Sequence, residues 1–420
     1  MGRGGSGVAV TLALAIHVMA CTGATQNPGG DGLGGKGPIG GTTGSSQGGA
    51  AGAGSPGLGG SPTTGAGGRT GGTAGAGGTA TGSGGATSVV DAGASDTGGT
   101  VIQPPTGPGP GTLGGGPVTT STTHLDIGVH DPSMIWDGSK FYLFATGGTL
   151  SFRSSTNLTQ WANAGRVYTA VPAWATTAVP GVTGLWAPDI SYFNGKFHVY
   201  SAASTFGSNT SAIGHATNTT LDPTKAGYAW VDQGLVVQSR SSDNFNAIDP
   251  NVAFDAAGVP WLAFGSFWSG IKLRKLDVAT GQPATDDTTL YSIASRNGGA
   301  IEAPSIISHN GFYYLFVSFD KCCSGVTSTY RTMAGRATAI TGPYTDSTGK
   351  AMMQSGGDEL IATTGRYIGP GGGTAWKNGD NYLYVYHYYD GSDSGRSKLL
   401  IRPITFSATD WIVLGDPIYP

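Results

Sequence analysis

Charged residues are scarce in this sequence of 420 residues. Asp, Glu, Lys and Arg make up 11% of it and the formal net charge is −3, whereas charged residues form about 25% of an average protein. The sequence contains no run of lysine or arginine. Nucleic acids and anionic membranes are bound through clustered positive charge, so the composition argues against both as partners. A neutral, polar substrate fits it better.

Cysteine is also rare, with only Cys21, Cys322 and Cys323 in the chain. Their spacing excludes a Cys-x-x-Cys metal site and a framework of several disulfides. Cys322 and Cys323 are adjacent. They either close a vicinal disulfide, which an oxidising compartment allows, or remain as two small buried thiols.

Bulky apolar residues are almost absent from the first 120 positions, apart from one short run at residues 8–16. This run follows Arg3, is too short to span a bilayer and ends at small residues, which is typical of a secretory signal in residues 1–21. Residues 18–21 also resemble a bacterial lipobox, in which Cys21 becomes lipidated. We favour this lipid anchor over plain cleavage near Ala24. In either case we expect a protein that is secreted or tethered to the outer cell surface.

Residues 22–122 consist mainly of Gly, Thr, Ser, Ala and Pro. Such a segment cannot bury enough apolar surface to offset the entropy lost on ordering. We predict a flexible low-complexity linker, with a root-mean-square span on the order of 50–60 Å for a Gly-rich chain of this length.

Residues 123–420 show almost no helical periodicity. They contain short runs of aromatic and β-branched residues separated by Asn-Gly and Asp-Gly turns, a pattern typical of β-hairpins. Five such units recur at intervals of roughly 60 residues, which is enough for one four-stranded blade each. We therefore predict an all-β fold, a five-bladed β-propeller that forms a single domain over residues 123–420.

Four of the five units open with a carboxylate, at Asp131, Asp189, Asp249 and Glu302. We interpret these as equivalent positions on the innermost strands, which converge on the central funnel of a propeller. Like charges at one mouth of the channel repel one another, so a cluster of acids there indicates either a bound cation or a catalytic role. Glycosidic hydrolysis uses a pair of carboxyl groups, and a third carboxylate can raise the pKa of the acid. Asp131, Asp249 and Glu302 supply this set. Asp189 we interpret as structural, binding backbone N–H groups.

Side chains near these acids suit a sugar, because aromatic faces and a few placed polar groups are typical of such pockets. Phe267 and Trp268 follow a strand and precede a Gly turn, so we expect their rings to be exposed. The predicted substrate-binding residues are Trp186, Phe206, Asn246, Ile248, Ser266, Phe267 and Trp268.

Several short motifs resemble those of the family 43 glycoside hydrolases, over the whole of residues 123–420. They are His-Asp-Pro-Ser at 130–133, Trp-Ala-Pro-Asp at 186–189, Asn-Ala-Ile-Asp-Pro at 246–250, Ser-Phe-Trp at 266–268, Ile-Glu-Ala-Pro at 301–304 and Cys-Cys-Ser-Gly at 322–325. Within the family, the Cys-Cys-x-Gly and Phe-Asn-Ala-Ile-Asp-Pro segments are most similar to the endo-1,5-α-L-arabinanases.

The resemblance implies inverting hydrolysis of arabinan, the plant cell-wall polysaccharide. Asp131 would be the general base, Glu302 the general acid and Asp249 the residue that tunes and orients the acid. The resemblance also implies a calcium ion on the propeller axis, held in relatives by the histidine of a Gly-Pro-Gly-His stretch. Gly372 stands at that position here, so His387 is the candidate ligand. We expect no organic cofactor and a monomeric protein.

Three alternatives stay open beside endo action. One is an exo-acting α-L-arabinofuranosidase or β-xylosidase of the same family, which a blocked pocket would favour. Another is a propeller that only binds polysaccharide, which predicts the loss of an acid, whereas all three are present. A β-fructosidase-type propeller is the weakest, because the sequence has no Arg-Asp-Pro stretch and no Glu-Cys pair at the acid position.

Overall fold

The computed structural model describes residues 113–419. The predicted signal, its lipobox and the linker up to residue 112 lie outside the described residues. Within them the longest α-helix is α1, Ala173–Ala178, and none is long and apolar enough to cross a membrane. Two 3₁₀ turns cover Gly325–Thr327 and Met352–Gln354.

The described chain forms five antiparallel sheets of four consecutive strands each, which confirms the predicted five-bladed all-β propeller. The strands of the first two blades are β1 Ser133–Trp136, β2 Phe141–Phe144, β3 Ser151–Ser155, β4 Ala162–Arg166, β5 Trp186–Phe193, β6 Lys196–Ala203, β7 Ser211–Asn218 and β8 Val231–Ser239. Those of the third and fourth blades are β9 Asn251–Phe254, β10 Pro260–Phe264, β11 Ile271–Lys275, β12 Tyr291–Ala294, β13 Ile301–His309, β14 Phe312–Phe319, β15 Arg331–Ala337 and β16 Asp358–Ile361. Those of the fifth blade are β17 Tyr367–Asn378, β18 Asn381–Asp390, β19 Arg396–Phe406 and β20 Ile412–Leu414.

The hairpins form where the turn chemistry predicts them. Asn194 and Gly195 join β5 to β6 with φ of 47° and 70°, and Asn310 and Gly311 join β13 to β14 with φ of 48° and 80°. Two-residue hairpin turns of this kind need positive φ at both central positions, which Asn and Gly tolerate best.

Hydrophobic residues fill the interfaces between the blades. Three of the four clusters each fill one interface, between blades 1 and 2, between blades 2 and 3, and between blades 3 and 4. The remaining cluster joins blades 4, 5 and 1. The first strand of each blade contacts the first strands of its neighbours, so these five strands line the axis. Their starts therefore meet at one mouth of the channel.

Strand pairing corrects the predicted register of the four acids. The residues that occupy equivalent positions opposite the second strand are Ser133, Asp189, Asn251, Ser305 and Thr374. In each blade the residue two positions earlier has a left-handed backbone, with φ between 39° and 57°. These residues are Asp131, Ala187, Asp249, Ala303 and Gly372. Only Asp131 and Asp249 are therefore equivalent; Asp189 lies two residues later and Glu302 one residue earlier. The prediction of one shared register was wrong. The prolines at 132, 188, 250 and 304 mark the true one.

The equivalent polar residues link each blade to the next. Four of these side chains accept a backbone N–H of the following blade at 2.9–3.1 Å, in the pairs Ser133–Ile190, Asp189–Val252, Asn251–Ile306 and Ser305–Ala375. Thr374 closes the ring by donating its hydroxyl to the carbonyl of Pro132 at 3.1 Å. Asp189 thus has the structural role that we predicted, binding a backbone N–H next to the axis.

The segment before β1 is bound to the fifth blade. Leu399 N–H donates to the Ile127 carbonyl at 2.9 Å, and Gly116 N–H donates to Oδ1 of Asn378 at 2.7 Å. Ser121 N–H reaches a carbonyl of the last residues, that of Ile418, at 2.7 Å. The folded region therefore starts before residue 123, because backbone groups near the end of the predicted linker find partners on blade 5.

Candidate active site

Three carboxyl groups meet at the mouth where the innermost strands begin. Asp131 precedes β1, Asp249 precedes β9, and Glu302 is the second residue of β13. Each acts electrostatically on at least one of the others, as expected of groups that face one funnel. The left-handed backbone at Asp131 and Asp249 is uncommon for residues with a side chain, and it turns both residues off the strand direction. The structure therefore brings these three acids together at one mouth of the channel, as the sequence predicts.

Two donors hold one oxygen of the Asp131 carboxylate. Nδ1 of His130 and Oγ1 of Thr146 each lie 2.7 Å from Oδ2. Burial acts to raise the pKa of Asp131, but the charge and hydrogen bond of His130, together with His387 and Thr146, outweigh it and lower the pKa to about 2. The group is therefore ionised at neutral pH, and Oδ1 is left as the oxygen that can accept a proton.

Glu302 is held at both oxygens by hydroxyl groups. Ser266 donates to Oε2 and Tyr330 donates to Oε1, each at 2.8 Å. Burial raises the pKa of Glu302, and the negative charge of Asp131 adds to this, while the two hydrogen bonds act in the opposite direction. A buried carboxyl group with a raised pKa keeps its proton for a leaving group, which is the property that a general acid needs.

Asp249 contacts the backbone next to Glu302. Its Oδ2 accepts the N–H of Ala303 at 3.0 Å. Burial raises its pKa well above the usual range, and the charges of Glu302 and Asp131 raise it further. Asp249 and Glu302 therefore share protons as a pair, opposite an Asp131 that is ionised.

The predicted substrate-binding residues occupy two different environments. The rings of Trp186 and Phe206 lie 5.1 Å apart, and Phe206 is 54% exposed. Phe267 is 39% exposed, with Trp268 half-buried beside it at the end of β10. Ile248, in contrast, is buried in the hydrophobic cluster between blades 2 and 3.

Asn246 carries an unpaired acceptor. The residue is 3% exposed, and its Oδ1 is buried without a hydrogen-bond partner among residues 113–419. A buried acceptor without a partner costs about 1–3 kcal/mol. Such a group suits a substrate hydroxyl, which would supply the missing donor.

Several residues around the acids could not be assigned from the sequence. Thr146, Tyr330 and Tyr389 reach the site from other loops or strands, and the sequence alone assigned none of them a role. His130 was visible as the neighbour of Asp131 in a motif, but its contact with the carboxylate depends on the turn at Asp131.

The position of His387 bears on the expected calcium ion. His130, Asp131 and His387 offer ligand atoms within 4.8 Å of one another. However, His387 Nδ1 accepts the N–H of Asp131 at 3.1 Å, and both nitrogens of His130 bond to protein groups, Asp131 and Tyr389. Calcium takes six to eight oxygen ligands, whereas this set offers one free carboxylate oxygen. These residues do not fit a calcium ion, and His387 instead orients Asp131.

Gly372 stands where the related motif has histidine, and the packing explains the difference. Its φ is 57°, and an added Cβ would lie 2.5 Å from Cε1 of His387 and 2.7 Å from Oδ1 of Asp131. The imidazole of His387 therefore occupies the space that a side chain at position 372 would need.

Cys322 and Cys323 are joined as a vicinal disulfide, so the alternative of two free thiols does not hold in this structure. Sγ of Cys323 lies 3.7 Å from Nε2 of His130. The disulfide thus borders the site, which residue spacing alone could not reveal.

Comparison with known proteins agrees with this chemistry. The chain is 48% identical over 287 residues to the extracellular endo-α-(1→5)-L-arabinanase 1 of Bacillus subtilis (strain 168), covering 67% of this chain and 86% of that protein. It is 40% identical over 299 residues to the extracellular exo-α-(1→5)-L-arabinofuranosidase ArbA of Cellvibrio japonicus (strain Ueda107), covering 68% and 86%. The solved structure of Cellvibrio cellulosa α-L-arabinanase complexed with arabinohexaose is 38% identical, with a TM-score of 0.66, and covers 69% of this chain and 96% of that one.

The family assignment covers nearly the whole propeller. Residues 125–412 match the family described as glycosyl hydrolases family 43. This range contains all five blades up to the start of the last strand, and with them the three acids. The protein is therefore a glycoside hydrolase, and the chain belongs to family 43, among relatives that are named arabinanases.

Proposed function

We propose that this protein is exported and hydrolyses internal α-1,5-L-arabinofuranosidic bonds of arabinan with inversion of configuration. The observation that carries the proposal is the separation of the pKa values at the site. The pKa of Asp131 is lowered to about 2, whereas those of Glu302 and Asp249 are raised. Where the environments of neighbouring carboxyl groups separate their pKa values in this way, the group with the low pKa can act as the base and the group with the high pKa as the acid.

The roles follow from these protonation states. Oδ1 of Asp131 takes a proton from water, whose oxygen forms the new bond to the anomeric carbon. The glycosidic C–O bond breaks, and Glu302 gives its proton to the departing oxygen. Asp249 shares a proton with Glu302, because two neighbouring carboxyl groups repel when both are ionised, and in this way it modulates the acid. Exchange with solvent then returns a proton to Glu302 and removes one from Asp131.

Endo action is supported by the relatives and by the exposed rings. The Bacillus subtilis relative is named an endo-arabinanase. Phe206 and Phe267 are exposed on different blades, which suits a binding surface longer than one sugar. Exo action is the second candidate, because the Cellvibrio japonicus relative is named an exo-acting enzyme. The extracellular names of both relatives support export.

The test is a time course of products from linear 1,5-arabinan. Endo action predicts a mixture of long oligomers first, whereas exo action predicts one short product from the start. Proton NMR of the first product should show the inverted anomer. Glu302→Gln should lower kcat by about 10²–10⁴, the usual contribution of a general acid. Glu359→Gln, the same change on a partly exposed residue of β16, should leave activity intact. Retained activity in Glu302→Gln would contradict the acid assignment.

A further inference from the structure

A chain of hydrogen bonds connects the vicinal disulfide to Asp131. The backbone N–H of Cys323 donates to the hydroxyl oxygen of Tyr389 at 2.7 Å. That hydroxyl lies 2.9 Å from Nε2 of His130 and 3.3 Å from Nε2 of His387. Nδ1 of His130 lies 2.7 Å from Oδ2 of Asp131. Three links thus run from the disulfide loop through Tyr389 and His130 to the carboxylate, and a branch joins Tyr389 to His387.

The direction of each bond follows from the N–H of Asp131. Because this N–H donates to Nδ1 of His387, the proton of the neutral His387 ring sits on Nε2 and points at Tyr389. The hydroxyl oxygen of Tyr389 then accepts from both His387 and Cys323, and when the His130 ring is neutral the Tyr389 proton is directed at Nε2 of His130. The neutral His130 ring then carries its proton on Nδ1 and donates it to Asp131, and Nδ1 stays the donor when the ring gains a second proton.

We propose that the Cys322–Cys323 disulfide and Tyr389 are positioning elements for the general base, orienting the His130 ring so that the proton on its Nδ1 holds Oδ2 of Asp131. The inference rests on the proposed function, in which Asp131 is that base. None of these groups needs to touch the sugar. Their effect is to hold one oxygen of Asp131 so that Oδ1 stays aimed at the attacking water.

The disulfide matters because of the backbone that it closes. Cys323 has φ of 59°, a left-handed conformation that residues with a side chain seldom adopt. The bond between adjacent sulfurs closes a small ring that restricts both residues, and this conformation directs the N–H of Cys323 at Tyr389. Once the bond is broken, Cys323 is free to return to the usual region, and Tyr389 loses a donor.

Reduction is therefore a direct test on the folded protein. Dithiothreitol supplies two electrons: the S–S bond breaks, each cysteine sulfur gains a proton as a thiol, and the reagent closes to its cyclic disulfide. We expect kcat on linear arabinan to fall about tenfold, equivalent to about 1.4 kcal/mol in the barrier, with KM unchanged. The double variant Cys322→Ser with Cys323→Ser should show the reduced value and no response to the reagent.

A matched pair of tyrosine variants tests the middle of the chain. Tyr389→Phe removes the hydroxyl and should lower kcat by a similar factor without raising KM. Tyr388→Phe makes the same change on the opposite face of β18, in the hydrophobic core, and should change neither constant. A rise in KM, or equal effects of both variants, would mean that the loop acts on binding or on folding, and would overturn the proposal.

A spectroscopic readout separates this proposal from the proposed function. The ¹⁵N shifts of the His130 ring at alkaline pH should report a proton on Nδ1, and reduction or Tyr389→Phe should redistribute it to both nitrogens. The signal is assigned by its loss in His130→Gln. If the protein does not cleave arabinan, this measurement still decides the positioning role. If it cleaves arabinan but neither kcat nor the tautomer responds, the proposed function stands and the positioning role is refuted.

Discussion

The N–H of Ala303 donates to Oδ2 of Asp249 at 3.0 Å, so the residue after Glu302 is tied directly to the neighbouring acid. This contact fixes the distance between two carboxyl groups that repel when both are ionised. It explains how Asp249 can influence Glu302 without a hydrogen bond between the two side chains.

Replacing Asp249 with Asn should shift the alkaline limb of the pH–rate profile. Burial and the charge of Glu302 raise the pKa of Asp249, so the two carboxyl groups share a proton that neither can lose without repulsion. With Asn at position 249 this repulsion is gone, Glu302 loses its proton more easily, and the alkaline limb moves to lower pH. We expect kcat to fall about 10²-fold at neutral pH, within the range for loss of acid–base function. The control is Asp380→Asn on an exposed turn, and the measurement is kcat/KM against pH. An unmoved alkaline limb would remove Asp249 from the role of modulator.

The hydroxyl of Thr146 connects Asp131 to the backbone of Ala187, and we expect kcat to depend on it. Its hydroxyl donates to Oδ2 of Asp131 at 2.7 Å and accepts the N–H of Ala187 at 2.7 Å. Thr146→Val keeps the shape but removes both bonds, and should lower kcat about tenfold, as expected for a lost hydrogen bond to a charged group. Thr146→Ser keeps the hydroxyl and should restore most of the rate. Equal activity of the Val and Ser variants would show that the hydroxyl is not needed.

The fold could be predicted because its signals are local. The Asn194-Gly195 and Asn310-Gly311 turns and the apolar runs beside them specify hairpins within a few residues. The register of the acids could not be inferred from the acids alone. Alignment on carboxylates treated Asp189 and Glu302 as equivalent, whereas the proline that follows four of the five left-handed residues marks the equivalent positions.

The acids of the site were predictable, but most of their partners were not. Asp131 and Glu302 stand in short motifs at strand starts, where a propeller must bring them together. Tyr330 and Tyr389 reach the acids or His130 only through the packing of separate strands and loops, so their roles depend on contacts distant in sequence. The same holds for His387, whose orientation toward Asp131 depends on the space left by Gly372.

Asn246 should show opposite effects on binding and stability. Its buried Oδ1 lacks a partner in the described structure, which penalises the free protein, and a substrate hydroxyl would relieve that penalty. Asn246→Leu should therefore raise KM for arabinan about five- to tenfold while keeping or increasing the free energy of unfolding. Urea denaturation and steady-state kinetics on the same samples provide the two values. A variant that loses stability but binds normally would indicate a purely structural amide.

The buried pair His198 and His215 should make the propeller sensitive to acid. Nε2 of His198 donates to the Phe193 carbonyl at 3.1 Å, so its Nδ1 accepts the Nε2 proton of His215 at 2.9 Å, and both rings are neutral. Burial lowers their pKa values to about 4 and about 3, below the usual value of 6.5. The unfolded chain therefore binds more protons below pH 6.5, and stability is lost as the pH falls from there toward 3.

This loss should be smaller when one of the two rings cannot titrate. His215→Phe keeps the stacking on Tyr200, whose ring centroid lies 4.4 Å from that of His215, and removes one titrating group. Urea denaturation at a series of pH values should give a shallower decline in unfolding free energy for the variant than for the wild type. Parallel declines would place the acid sensitivity elsewhere, since the remaining His198 accounts for only part of the proton uptake.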